Sequence, residues 1–314
     1  MTAAPNILVV KLGALGDILL AMDAFQALRR HHPNARITLL TRKPFVAFTR
    51  QMPWFDEVWT DPAPKLWQMP QWLAWRRQLR AGKFARVYDL QCNDRSGFYF
   101  QLLGPGRPEW CGVVRGCSHP RPDCGGENLP VTERLWRLLE AAGVPRGETA
   151  DVTWLDGDLS GMAVPERMVL LVPGCAPQHP YKRWPADHFA ALAIQLAAQG
   201  VACVAIGTAV DHAAITEIQA LAPDVINLAG KTDLGQVAAL ARRAAAVVGN
   251  DTGPVHLTSI VGAPTLVLMS RVTDPVRMLP RGPAVNWLKR DDLADLTVDE
   301  VLAAIRLRPI RDLT

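Results

Sequence analysis

The segment Gly249-Asn250-Asp251-Thr252-Gly253-Pro254-Val255-His256 puts a carboxylate, a hydroxyl, two glycines and an imidazole where an apolar run meets a helical pattern. Ala246-Val247-Val248 reads as a buried strand, and Pro254 suits the first turn of a helix. Unpaired N–H groups at such a helix start, together with its dipole, favour an anion. Gly253 would let a phosphate come close to the backbone. Asp251 is itself an anion, so it is a poor phosphate ligand and better placed to accept from sugar or ribose hydroxyls. The residues alone explain Asp251 or Thr252 equally well as plain N-caps.

Three other segments have the same strand-to-loop character. Pro173-Gly174-Cys175-Ala176 follows the apolar run Met168–Val172, and Tyr181-Lys182-Arg183-Trp184-Pro185 opens the next helix. Such loops, at the carboxyl edge of a parallel sheet, are where these folds take ligands. Lys182 could neutralise a diphosphate there, although on its own a solvated loop lysine is the simpler account. In the first half, Lys11-Leu12-Gly13-Ala14-Leu15-Gly16-Asp17 joins a strand to a helix. Gly13 and Gly16 do not complete a G-x-G-x-x-G pattern. Asp17 would serve as a base toward an acceptor hydroxyl, or as a cap stabilised by the helix dipole; the residues alone favour the cap. Asp89-Leu90-Gln91-Cys92-Asn93-Asp94-Arg95-Ser96 leaves another strand. Gln91, Arg95 and Ser96 suit contact with a sugar acid or phosphate, and suit ordinary strand-end polarity as well.

These segments need elements to hold them. The spacing predicts strands at Ile7–Val10, Arg36–Leu40, Val58–Trp59 and Arg86–Leu90, and one helix over Asp17–Arg30. Residues 104–130 read as irregular, a helix follows near Thr132–Ala142, and a strand-like patch sits at Val152–Leu155. The rhythm then restarts with strands at Met168–Val172, Val201–Ile206, Val225–Asn227, Ala246–Val248 and Thr265–Met269. Helices are expected at Asp187–Gln199, Asp211–Leu221 and Leu234–Arg243, from near Pro254, and at Thr297–Arg306. Alternating strands and helices give an α/β fold with parallel sheets. The expected division is residues 1–155 and 156–314, with a cleft between the two. The tail helix is a candidate to pack back on the first domain.

The chain has 314 residues, long enough for two domains of about 150 each. No apolar run approaches the roughly 18 residues of a membrane span, and the N-terminal run is too short for a signal peptide. Residues 1–150 hold 20 Lys/Arg against 13 Asp/Glu, and the remainder 14 against 17. A basic first half suits a phosphorylated acceptor, an anionic membrane or nucleic acid, or is plain surface charge. No nucleic-acid motif is present. Trp54, Trp59, Trp67, Trp72 and Trp75 precede Arg76, Arg77 and Arg80. That mixture suits a membrane interface or a lid over a lipid-linked acceptor, but for most of these tryptophans a core beside a basic helix face is the simpler account. The six cysteines contain no C-x-x-C pair, so Cys111, Cys117 and Cys124 read as reduced thiols before they read as a zinc site.

The D-T-G-P-x-H-L segment at 251–257, the K-R-W-P segment at 182–185 and K-L-G-A-L-G-D at 11–17 resemble glycosyltransferase family 9. These are the heptosyltransferases of the bacterial lipopolysaccharide inner core, and the likeness runs in order over nearly the whole chain. The resemblance implies a GT-B fold of two Rossmann-like domains facing a central cleft. It also implies an ADP-heptose donor, inversion at the anomeric carbon, no cofactor and no catalytic metal. Donor contacts are implied at Gly174, Cys175, Lys182, Thr232, Asp251, Thr252, Gly253 and His256, with Asp211 toward the adenosine ribose. Asp17 is implied as the catalytic base, with Lys182 assisting the leaving group. Acceptor contacts are implied at Gly13, Gly16, Gln91, Arg95 and Ser96. The implied partners are a nucleotide sugar and an anionic glycolipid, with peripheral contact at the inner membrane, a cytoplasmic location and no nucleic acid. One departure concerns Cys175-Ala176, where the family often carries Ser or Thr in a shorter loop. That puts hydroxyl contacts to the phosphates there in doubt. Two rivals are a nicotinamide-dependent oxidoreductase and a non-catalytic nucleotide-sugar binding protein. The missing third glycine argues against the first, and the presence of both Asp17 and Lys182 against the second.

Overall fold

A computed structural model describes residues 4–123 and 128–309. The chain forms two units that divide between Trp154 and Leu155. Both are parallel sheets, because their short apolar runs are hydrophobic on both faces and are joined by helices able to cover them.

The first unit holds β1 (Asn6–Val10), β2 (Arg36–Thr41), β3 (Glu57–Thr60), β4 (Phe84–Asp89), β5 (Glu109–Gly112) and β6 (His119–Pro120). Their order across the sheet is β3-β2-β1-β4-β5-β6. Val10 lies level with Leu40 on one side and with Asp89 on the other. The order reverses between β1 and β4, so the loops leaving those two strands flank the point where such sheets bind ligands. Both first-half segments singled out in the sequence leave from there. Trp72, Trp75, Tyr99, Phe100 and Trp110 pack with Leu8 and Val10 to form this unit's core.

The second unit repeats the plan with β7 (Met168–Val172), β8 (Ala202–Ala205), β9 (Ile226–Asn227), β10 (Ala246–Asn250), β11 (Thr265–Met269) and β12 (Val285–Lys289). The order β12-β11-β10-β7-β8-β9 is the same winding, with its reversal between β7 and β10. Val169, Leu171, Val248 and Leu268 form its core with Trp184 and Phe189.

Several expectations are corrected. The helix expected over Asp17–Arg30 is two, Leu15–Leu20 and Met22–His31. Ala21 donates to Ile18 O, three residues back, and this tighter turn interrupts the helix without disturbing its buried face. Residues 104–130, expected to be irregular, contribute β5 and β6. Val152–Leu155 forms no strand, whereas Val285–Lys289, which drew no expectation, pairs in parallel with β11. The last helix, Val298–Ala304, lies against Ala186–Ala197 and β12 of its own unit. Trp54, Trp72 and Trp75 are buried, Trp59 is half-buried and Trp67 is exposed. Among the described residues no helix is long and apolar enough to cross a membrane.

Candidate functional site

The end of β10 gathers the polar side chains of the second unit. Asp251 follows the strand directly, and its buried carboxylate is approached from three directions. Two of these are hydrogen bonds, from Lys182 Nζ and Thr273 Oγ1, each to Oδ2 over 2.7 Å; the third is a contact with His256, whose Nε2 stands 3.7 Å from Oδ1. Burial by itself would raise the Asp251 carboxyl. The neighbouring His256, the hydrogen bonds from Lys182 and Thr273 and the lysine charge outweigh it and hold the group well below the usual carboxylate range. Asp251 is therefore an anion with acceptor capacity only.

This geometry bears on one of the two readings of the turn, the plain N-cap. Thr252 occupies the N-cap position of the helix Gly253–Ile260, yet its side chain makes no cap bond. It bonds back to Asn250 O over 3.2 Å instead. Asp251 Oδ2 is taken by Lys182 and Thr273, and neither side chain bonds an N–H of the helix as a plain N-cap would. The helix starts two residues after Asp251, the residue that holds the Lys182 ammonium, and a helix start of this kind favours an anion.

Asn250 fixes the lysine. It is fully buried at the last position of β10. Its Oδ1 accepts from Trp184 N over 3.0 Å, and its Nδ2 donates to Pro173 O over 2.8 Å. One side chain thereby ties together the two ends of the loop between β7 and the helix Ala186–Ala197, the loop that carries Lys182. Trp184 is anchored in turn by its indole N–H on Leu296 O, 2.8 Å away. Neither Asn250 nor Thr273 was predicted as a site residue. The available signal for Thr273 was position, since Ser270–Asp274 follows the carboxyl end of β11.

The remaining donor candidates spread along the same edge. Gly174 packs on Asp211 so closely that a Cβ there would sit 2.5 Å from its carboxyl carbon. Asp211 Oδ2 accepts from Thr208 N and Oγ1 over 2.9 and 2.8 Å, and Oδ1 is buried without a hydrogen-bond partner. Cys175 is buried, with Sγ 3.3 Å from His179 O. Thr232 stands just before Asp233, the cap of the helix Leu234–Arg243.

In the first unit, the two loops at the reversal point are bonded to each other. Gln91 Oε1 accepts from Leu12 N and Gly13 N over 2.8 and 3.2 Å. Gly13 has φ +90°, and a Cβ on it would meet Phe45 at 2.8 Å, so glycine is required there. Asp17, half-buried, accepts from Ala14 N over 3.0 Å. Beneath it Lys11 is buried and donates to Leu90 O over 3.1 Å. Burial lowers the Lys11 ammonium pKa, against the opposing pull of Asp17, Cys92 and Asp89. Burial raises the Asp89 carboxyl to about 6, although the Cys92 amide, the Ser96 hydroxyl, the Gln91 amide and Lys11 all pull it down. The Cys92 thiol is pushed up to about 12, first by burial and then by Asp89, which leaves it protonated. Arg95 pairs with the buried Asp61 at 2.9 Å, and Tyr99 donates to Asp61 over 2.5 Å. Ser96 closes a capping box with Asn93. Gln91, Arg95 and Ser96 thus lie together at the edge expected of them, each with an internal partner. Among the described residues no group of three or more His, Cys, Asp or Glu could hold a metal. Cys124 lies outside the described residues.

Residues 140–297 match the model of "Glycosyltransferase family 9 (heptosyltransferase)". The chain is 28% identical to lipopolysaccharide heptosyltransferase 2 of Escherichia coli strain K12, over 84% of this chain and 82% of that one. A shorter stretch is 39% identical to lipooligosaccharide heptosyltransferase 2 of Haemophilus influenzae, over 28% of this chain and 27% of that protein. Among solved structures, the E. coli ADP-heptose lps heptosyltransferase II superposes with a TM-score of 0.75 at 23% identity, covering 95% and 97% of the two chains. A family 9 glycosyl transferase from Veillonella parvula gives 0.78 at 21% identity, covering 97% of each. These structural neighbours share the GT-B architecture of two Rossmann-like sheets.

Proposed function

The chain belongs to glycosyltransferase family 9, the heptosyltransferase family, and from that premise we propose that it moves heptose from ADP-heptose to an anionic glycolipid acceptor of the lipopolysaccharide core, with inversion. The observation that carries this reading is the Lys182–Asp251–Thr273–His256 cluster at the carboxyl end of β10. A cation beside a helix start suits a diphosphate, and an anionic carboxylate beside it suits sugar hydroxyls. The other donor contacts would come from Gly174, Cys175, Thr232, Thr252 and Gly253, with Asp211 toward the ribose.

In this mechanism Asp17 removes the proton from the acceptor hydroxyl. The freed oxygen bonds to the anomeric carbon, the bond from that carbon to the diphosphate oxygen breaks, and ADP departs. Lys182 and the N–H groups at Gly253 take up the charge that builds on the leaving phosphate, fixed electrostatic help that is often the largest catalytic contribution. Gly13, Gly16, Gln91, Arg95 and Ser96 would orient the acceptor. Work on a lipid-borne acceptor would place the chain at the inner face of the cytoplasmic membrane. The family match favours neither the nicotinamide-dependent nor the non-catalytic reading.

A thermal-shift panel of ADP, ADP-heptose, UDP-sugars and GDP-sugars tests the donor. A ligand at about 100 times its dissociation constant stabilises the folded state by about 2.7 kcal/mol, which a melting curve resolves. The expected result is a rise in melting temperature with ADP and ADP-heptose alone. Stabilisation by UDP- or GDP-sugars instead would move the donor assignment, and silence across the panel would remove the reading.

A further inference from the structure

We propose that the surface formed by Leu66, Trp67, Met69, Leu73 and Phe98 in the first unit docks on an anionic lipid bilayer. This rests on the reading that the acceptor is carried by a lipid, and goes further by assigning the side chains that meet the membrane. Leu66 is 82% exposed, Trp67 74%, Met69 60%, Leu73 49% and Phe98 43%. Single exposed apolar residues need no explanation, but a contiguous group of large ones marks an interaction surface.

The group is contiguous because buried contacts hold it together. The helix Met69–Ala81 buries Trp72, Trp75 and Leu79 against the core. Met69, Leu73 and Arg77 recur at four-residue spacing and share the outward stripe. The Trp72 indole N–H donates to Lys65 O over 3.1 Å, which fixes the Leu66–Trp67 segment to the start of that helix. The Trp72 and Phe98 rings meet edge to face at 4.8 Å, which joins Phe98 to the same surface.

Charge identifies the partner. Residues 62–88 hold six cations, Lys65, Arg76, Arg77, Arg80, Lys83 and Arg86, and no Asp or Glu. Arg86 pairs with Glu109, whereas Lys65, Arg77 and Lys83 are exposed and meet no carboxylate among the described residues. Lys65 Nζ stands 5.2 Å from the centre of the Trp67 ring, so cation and indole occupy one spot. Exposed aliphatic and indole groups flanked by unpaired cations match the acyl boundary and headgroups of an anionic bilayer. A second copy of this chain would bring the same cations face to face.

The test is cosedimentation of the full-length chain with vesicles that contain no acceptor, made of phosphatidylcholine alone or with phosphatidylglycerol. Binding is expected on the anionic vesicles, weakening with salt. The pair Leu66→Ser with Trp67→Ser should weaken it by roughly tenfold or more. The pair Arg77→Glu with Lys83→Glu should weaken it and flatten its salt dependence. All four substitutions are at exposed positions outside the donor site, so the melting response to ADP should persist. Lost vesicle binding with an intact ADP response then bears on this surface alone, and a wild-type chain that ignores every nucleotide bears on the transferase reading alone. The proposal is overturned if the wild type binds both vesicle types equally or neither. It is also overturned if the Leu66/Trp67 variant binds vesicles unchanged but loses self-association in sedimentation velocity.

Discussion

Asp17 is a carboxylate with two possible uses, and one substitution separates them. As a cap it needs only an acceptor oxygen for Ala14 N; as a base it needs a lone pair that can take a proton. Asp17→Asn keeps the first and removes the second. If Asp17 is the base, kcat falls by about 10²–10⁴-fold, with the ADP melting response unchanged. An Asn variant with full turnover would reduce Asp17 to a cap. Asp89 makes a separate prediction about pH. Folded, it titrates near 6, against 3.8 for an ordinary aspartate. Between those values the folded state holds the extra proton, so stability is lost as pH rises through the window, and the loss is complete above it. In Asp89→Asn the amide oxygen still accepts from Gln91 N and Cys92 N, as Oδ1 does now, and no charge is buried. The variant should therefore gain on the wild type by roughly 3 kcal/mol between pH 3.5 and 7. Urea unfolding across that range measures it, and a pH-independent difference would mean that Asp89 is not buried as a charge.

Asn250 is where one residue's chemistry becomes a property of an element. Asn250→Ala strands Trp184 N and Pro173 O, two buried backbone groups, and should destabilise the fold by about 2–5 kcal/mol. It should also raise KM for the donor, since Lys182 is two residues from Trp184. An unchanged KM in a destabilised variant would confine Asn250 to the fold. Neither this clamp nor Thr273 could be read from the sequence, because their partners lie far along the chain and no local period encodes them. What was legible was local. Strands such as Met168–Val172 announce themselves by β-branched and leucine runs, and the turn at Asp251 by its small polar residues. The misses have the same cause. In β5, Trp110 and Cys111 supply the burial, but flanking Gly and Pro disguise it. β6 is only two residues long, too short for any alternation to show. The break at Ala21 leaves the helical period unbroken on both sides.

The two units repeat one winding order, yet they differ in charge and in what gathers at the reversal point. The first is basic and holds Asp17 and Gln91 there; the second is slightly acidic and holds Lys182 and Asp251. Each has a core of its own, around Val10 in the first and around Val169 in the second. A unit with its own core and a single sheet has what it needs to fold alone. Residues 155–314 expressed alone should therefore unfold cooperatively and gain melting temperature with ADP to the same extent as the full chain. All the proposed donor contacts lie in this stretch, and Asn250, Trp184 and Leu296 keep their bonds within it. The fragment should have no transferase activity, because Asp17 and the proposed acceptor contacts are absent. Calorimetry with and without ADP checks both expectations. A fragment that melts cooperatively but ignores ADP, when the full chain responds, would mean that residues before 155 also contribute to nucleotide binding.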